Sequence, residues 1–403
     1  MAKILLESGD IMWKNAIYLF SSILVVTAVI LVSGRYLDGR SEIDQVELNN
    51  QFEVEAVQET ELEKAQSRNV YTKLMNNKEI KVLIIGNGIA QGGLEADEEK
   101  KWYNRLGKKI KEEYGANSTF KIITTPGGTA FGGWIDYIAD SEPKEYDLVF
   151  LCFGSSDEKE LNFNQTVFGT IMEGLIRNIK RAKSNTEIIT IIENSIKSEA
   201  YIDTLKKISD YYEITYVDTI KAFIDSRMAI DVLTEDGANP SEQGYEIYTD
   251  AVFDLIKSNI DNKREPGFEE EKPLLFEESN AFTNGKITTE FLTIRGFYNS
   301  VLACDKIFMK SNRSNDSITY EVNNSRVLGV TLLGGPDCGT VDIYLNDKLI
   351  QTYDCYAPNE ALRHVLISDN IGLGLHKLRI EVANVKNAKS ADSNVYIHGI
   401  ITN

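Results

Sequence analysis

Between residues 78 and 263, short runs of apolar and β-branched residues alternate with amphipathic stretches, the pattern of a parallel sheet covered by helices on both faces. KVLIIG (81–86), FKIITT (120–125), DLVFLCF (147–153) and EIITIIE (187–193) are too short for buried helices, so each is expected as a strand. Residues 99–115 carry Trp102, Leu106 and Ile110 at helical spacing and stop at Gly115. A second helix is expected from about Val167 to Lys183, and a last one begins behind the N-cap residue Ser241 and runs to about Ile260. The expected class is α/β, with a three-layer α/β/α domain over 78–263.

The pattern changes at REPGFEEEKPLLFEE (264–278), which reads as a linker. Beyond it, SITYEV, VLGVTLLG, TVDIYLNDKLIQTYD, LRHVLI, HKLRIEVA and NVYIHGIIT are short strand patterns separated by turns. A hairpin around Asn346-Asp347 and the even spacing suggest an antiparallel sandwich or jelly roll over 264–403.

At the other end, AIYLFSSILVVTAVILVS (16–33) is eighteen residues without a charge. At about 1.5 Å per residue it nearly crosses a hydrocarbon core of about 30 Å, so a transmembrane anchor is expected over 16–34 behind a short tail, 1–15. It is longer than the apolar core of a signal peptide. Lys3 and Lys14 precede the span and Arg35 and Arg40 follow it, so charge scarcely orients it. A single N-terminal anchor before a large polar chain places the bulk outside the cytoplasm. Residues 35–77, acidic and free of proline, read as a partly helical stalk.

A net charge of −18 over 403 residues argues against a nucleic-acid partner, which needs a basic face. Four cysteines are too few for a disulfide scaffold. Cys152 lies in an apolar run and suits a buried thiol, whereas Cys338 and Cys355 are a possible bridge in an extracytoplasmic domain. No metal or cofactor is expected.

The chemistry lies in four loops. Gly86-Asn87-Gly88-Ile89-Ala90-Gln91-Gly92 follows the first strand, PGGTAFGGW (126–134) the second and FGSSD (153–157) the third, and EDGANPSEQGY (235–245) leads into the last helix. A dinucleotide site needs another glycine spacing and an acidic residue after the second strand, where Thr124-Thr125-Pro126 stands. The four loops in this order resemble the blocks of the SGNH/GDSL hydrolases. That resemblance implies a flavodoxin-like sheet and an ester-hydrolase site in which a block-one serine attacks, a last-block histidine takes its proton and an aspartate three residues earlier orients the histidine. The block-two glycine and block-three asparagine help to hold the oxyanion.

Carried onto this chain, the serine position is Gly88, the asparagine position Ser156 and the histidine position Asn239. Asp236 and the glycines, Gly127 or Gly128, remain. The chain's three histidines, His364, His376 and His398, all lie beyond residue 263, so no Ser–His dyad can form within the α/β domain. They are expected at the surface or at strand edges. Losing a nucleophile costs about 10⁶ in turnover. Asp157, Asp236 and Glu235 could instead form a carboxylate pair or an oxygen-ligand metal site, although a loop anchor and a turn residue explain Asp157 and Asp236 as well. Ser155 and Ser156 could attack only with a base nearby.

A pocket without its triad can still bind. Asn87, Gly88, Gly127, Gly128, Gly154, Ser156, Asp157, Asp236 and Asn239 are its candidate lining. Phe131, Trp134 and Tyr137 either offer aromatic faces to a sugar or pack a helix on the sheet. The C-terminal part resembles the jelly-roll modules beside SGNH domains in carbohydrate esterases, which bind glycan or cap the site. The expected function is a membrane-anchored, cell-surface SGNH-like protein, a pseudo-esterase that binds or organises envelope polysaccharide or a membrane-bound biosynthetic partner. The alternatives are an active esterase or acyltransferase on acylated carbohydrate with a rearranged site, and a structural subunit of an envelope complex.

Overall fold

The computed structural model describes residues 69–403, apart from 94–96, 125–127, 161–162 and the single positions 269, 278 and 298. The expected tail, anchor and most of the stalk lie outside the described residues. Among those described, no helix is long and apolar enough to cross a membrane.

A five-stranded parallel sheet in the order β2-β1-β3-β4-β5 forms from β1 (Ile80–Gly86), β2 (Ser118–Thr124), β3 (Leu148–Cys152), β4 (Glu187–Ile192) and β5 (Thr215–Asp218). Alternation along the strands splits the apolar side chains between two cores. Leu83, Ile85, Val149 and Leu151 enter one, and Val82, Ile84, Leu148 and Phe150 the other. The second core is covered by α1 (Val70–Met75), α3 (Trp102–Tyr114) and α9 (Glu242–Asp261), and the first by α4 (Ala130–Ala139), α5 (Gln165–Ala182) and α6 (Glu199–Tyr211). Short helices α2 (Gly88–Gln91), α7 (Thr219–Ser226) and α8 (Ile230–Leu233) line the loops at the sheet's carboxyl ends. Ser241 caps α9 as expected, its Oγ accepting the Gly244 N–H at 3.2 Å.

Helix α1 belongs to this domain although it falls in the expected stalk. Val70, Tyr71 and Leu74 are buried, and Asn69 caps the helix with its side-chain oxygen. Among the described residues, packing therefore extends back to Asn69, ahead of the first strand pattern.

Residues 286–403 form two antiparallel sheets around a third core. One has the order β13-β12-β15-β10-β7 and the other β14-β11-β16-β9-β8, with β6 also paired to β16. Their strands are β6 (Lys286–Thr288), β7 (Thr293–Arg295), β8 (Asn299–Ala303), β9 (Lys306–Ser311), β10 (Ser317–Asn323), β11 (Leu328–Gly334), β12 (Thr340–Leu345), β13 (Lys348–Asp354), β14 (Ala361–Ser368), β15 (Leu375–Val382) and β16 (Val395–Thr402). The expected hairpin joins β12 to β13, with Asn346 and Asp347 both at positive φ, 50° and 64°, as a type I′ turn requires. All four cysteines are free thiols, so the Cys338–Cys355 bridge does not form.

The segment read as a linker is a strap over α5. Arg177 donates to the carbonyls of Lys272 and Glu270 at 3.0 and 2.6 Å, and Glu173 accepts the Leu275 N–H at 2.7 Å. Phe276 lies so close to Gly169 that a Cβ there would come within 2.5 Å of its ring. The strap leads Phe282 into the first α/β core, where its carbonyl accepts the Trp134 Nε1–H at 2.7 Å. The β-sandwich docks on the same face. Phe131 meets Gly329 of β11, and the His364 Nε2–H of β14 donates to Asp136 of α4 at 3.0 Å. His364 Nδ1 accepts the Thr331 hydroxyl, also at 3.0 Å. His364 is therefore an interface residue rather than an exposed edge.

Phe131, Trp134 and Tyr137 are all buried, which decides for packing over sugar stacking. Truncating Trp134 to alanine is expected to cost about 3–5 kcal/mol, as for other buried aromatics, and a urea melt of the variant beside the natural chain measures it.

Candidate active-site cleft

Two backbone constraints shape the floor. Gly86 ends β1 where a Cβ would lie 2.7 Å from the Cys152 carbonyl, so only glycine lets the first and third loops run side by side. Gly154 has φ +131° and no room for a side chain against Ile196. These approaches bring Asn87 next to Ser155, and the Asn87 Nδ2–H donates to Ser155 Oγ at 3.1 Å. Its other amide atom, Oδ1, accepts the Ile89 N–H at 2.9 Å and starts α2. Below them Glu193, fully buried after β4, accepts the Ser155 N–H at 3.0 Å. Burial raises the Glu193 pKa above the ordinary carboxylate range.

Asp157 is also fully buried. It accepts the Gly154 N–H at 2.9 Å and the Ala130 N–H at 2.7 Å, so it pins the third loop to the start of α4. Burial pushes its pKa up to about 7, against the pull of those two N–H groups. Glu235 and Asp236 lie exposed on the opposite loop, so the three acidic residues form no carboxylate pair.

That loop is closed by a bridge between Thr234 and Pro240, and the Ala238 carbonyl accepts from Asn194 at 2.9 Å. Asp236 accepts the backbone N–H groups of Ala238 and Asn239 and, at 2.8 Å, the Asn239 side-chain amide. The two Asn239 bonds hold its carboxyl below the usual range. In the family this aspartate orients a histidine; here it orients an amide that cannot accept a proton at neutral pH.

Gly88, Ser156 and Asn239 face one another across an open cleft of about 320 Å³, together with Asn87 and Ser155. Gly88 is half-buried at the start of α2 and has no positive φ, so its backbone conformation accepts a serine. Gly154 and Asp157 support the cleft from beneath, and Gly128 lines a separate small cavity with Asp136 and His364. Gly127 lies outside the described residues. Gln91, Lys159 and Ser195 also line the cleft, although the sequence reading did not single them out. Ser195 was open to inference, because it follows β4 at the carboxyl end of the sheet, where α/β folds place their ligands.

A two-domain esterase active on acetylated mannans, crystallised with mannopentaose, superposes with a TM-score of 0.68 at 17% identity, covering 82% of this chain and 92% of that one. A lipolytic G-D-S-L family protein from Veillonella parvula matches 44% of this chain and 98% of its own at 16% identity, with a TM-score of 0.36. The acetylxylan esterase of Geobacillus stearothermophilus also matches 44% of this chain and 94% of its own, at 20% identity and a TM-score of 0.36. The chain has the fold of that two-domain esterase, an α/β domain with an accessory β domain. Neither a protein-family model nor a curated protein matches the sequence. The positions that the SGNH resemblance assigns to its nucleophile and base, Gly88 and Asn239, line one cleft.

The raised Asp157 pKa makes stability depend on pH. The folded state keeps a proton that the unfolded chain releases, so this contribution is complete below pH 3.8, falls as pH rises and levels off above about 7. Urea melts of the natural chain and Asp157→Asn should show the natural chain losing about 1 kcal/mol per pH unit relative to the variant between pH 4 and 7.

Proposed function

We propose that this chain is a cell-surface SGNH-like protein that recognises carbohydrate without the family's Ser–His attack. The observation that carries the reading is the pair of Gly88 and Asn239 in one cleft, with Asp236 committed to the Asn239 amide. The remaining lining of amides and hydroxyls is suited to sugar hydroxyls. The likeness in fold to an esterase active on acetylated mannans supports a glycan as the ligand class. In this reading residues 16–34 anchor the protein in the membrane, and the cleft binds or organises envelope polysaccharide, alone or beside a membrane-bound biosynthetic partner.

A second reading, an active esterase with a rearranged site, draws on Ser155, whose hydroxyl accepts from Asn87 and whose backbone N–H donates to the buried Glu193. Fluorophosphonate labelling separates the two, since it marks an activated serine.

The deciding experiment is acetyl-ester hydrolysis by the natural chain beside Gly88→Ser/Ser156→Asn/Asn239→His. The natural chain is expected to show no turnover above background and no fluorophosphonate label, and the triple variant to gain both. A natural chain whose turnover disappears in Asp236→Ala would sink the proposal.

A further inference from the structure

The cleft is neutral at every described lining position except one. Asn87, Gln91, Ser156, Ser195 and Asn239 contribute amides and hydroxyls, and Lys159 contributes a positive charge. No carboxylate among the described residues lines it, because Glu193 lies beneath Ser155 and Asn87. In a chain with 61 acidic and 43 basic residues, a lysine finds an acidic partner easily, as Lys73 does with Asp147 and Lys121 with Asp140. Lys159 is exposed and forms no salt bridge among the described residues, and its charge acts on Glu193, which is fully buried beneath the cleft floor.

Its position is nevertheless fixed from below. Residues 157–159 form a single 3-10 turn. Asp157 ties the first residue of that turn to Gly154 and Ala130, and Glu158 accepts the N–H groups of Lys197 at 3.0 Å and Ser198 at 2.8 Å. Two acidic side chains thus tie the turn back onto its own loop and to two other segments, the start of α4 and residues 197–198, and the third residue is left to reach over the cleft. A platform held this firmly limits the ordering cost of a ligand contact at its tip to the lysine side chain itself.

From this arrangement we infer that the ligand is an anionic saccharide, a sugar whose hydroxyls meet the neutral walls and whose carboxylate or phosphate meets Lys159. The inference rests on the glycan reading of the cleft and adds the charge of the sugar. A charge-assisted hydrogen bond is about twice as strong as a neutral one, and an exposed cation makes the gain sensitive to salt.

The test is calorimetric titration of the full chain with three probes of equal length: mannotriose, trigalacturonate and mannotriose carrying a 6-phosphate. At low salt at least one anionic probe is expected to bind about tenfold tighter than mannotriose, and which one does so names the anionic group. Lys159→Met should erase that advantage, Lys159→Arg should keep it, and 0.5 M salt should shrink it, to roughly the neutral probe's affinity. Gln91→Ala should weaken all three probes alike. Mannotriose binding with no gain for either anionic probe, or a gain untouched by Lys159→Met, overturns the inference and leaves the glycan reading standing. No binding of any probe by the folded chain overturns both.

Discussion

The packing of α4 between the parallel sheet and the β-sandwich is the constraint on which the remaining geometry depends. Seven of its ten residues are buried. Gly133 lies against Phe153 on the sheet side, Gly132 against His364 on the sandwich side, and Trp134 against Phe282 from the strap. A Cβ at Gly133 would lie 2.2 Å from the Phe153 ring and push the helix off the sheet, whereas one at Gly132 would meet His364 at 3.7 Å, an ordinary contact. The same helix receives Asp157 at its first N–H, so the domain interface and the floor of the cleft share one element.

The cleft is consequently held from beneath by buried carboxylates. Glu193, Asp157 and Glu158 each accept backbone N–H groups from the cleft loops, which fixes them without using any group at the surface of the cleft. The groups that face the opening are the ones that differ from the hydrolase pattern. Asp236 has a partner three residues on, the Asn239 amide, and the pair holds the loop in shape.

Much of this architecture was legible along the chain. The strands were marked by unbroken apolar runs, α9 by its cap and the hairpin by two residues able to take positive φ. Helix α4 was open only as one of two readings of Phe131, Trp134 and Tyr137, because Gly132 and Gly133 oppose helix formation locally, and the close approach of Phe153 explains Gly133. The strap was hidden for a related reason: its hold on α5 comes from Arg177 and Glu173, about a hundred residues away in sequence, and a stretch rich in glutamate and proline resembles a free linker. In the site, glycines and asparagines at loop positions pointed to Gly88 and Asn239. Lys159 carried no periodic signal, since its role depends on where the neighbouring Asp157 and Glu158 are tied.

Strand β16 has a consequence for how the chain reaches this state. Val395–Thr402 lies in the interior of its sheet, paired with β11 and β9 and with β6, and Ile401 also enters the α/β core. The strands it joins are all synthesised earlier, so β11 and β9 wait with open edges until residue 402 has left the ribosome. The sandwich and the face it covers on α4 therefore close after translation has passed this strand, and a nonsense codon between β14 and β16, residues 369–394, would leave a divided sheet with two unpaired, adhesive edges.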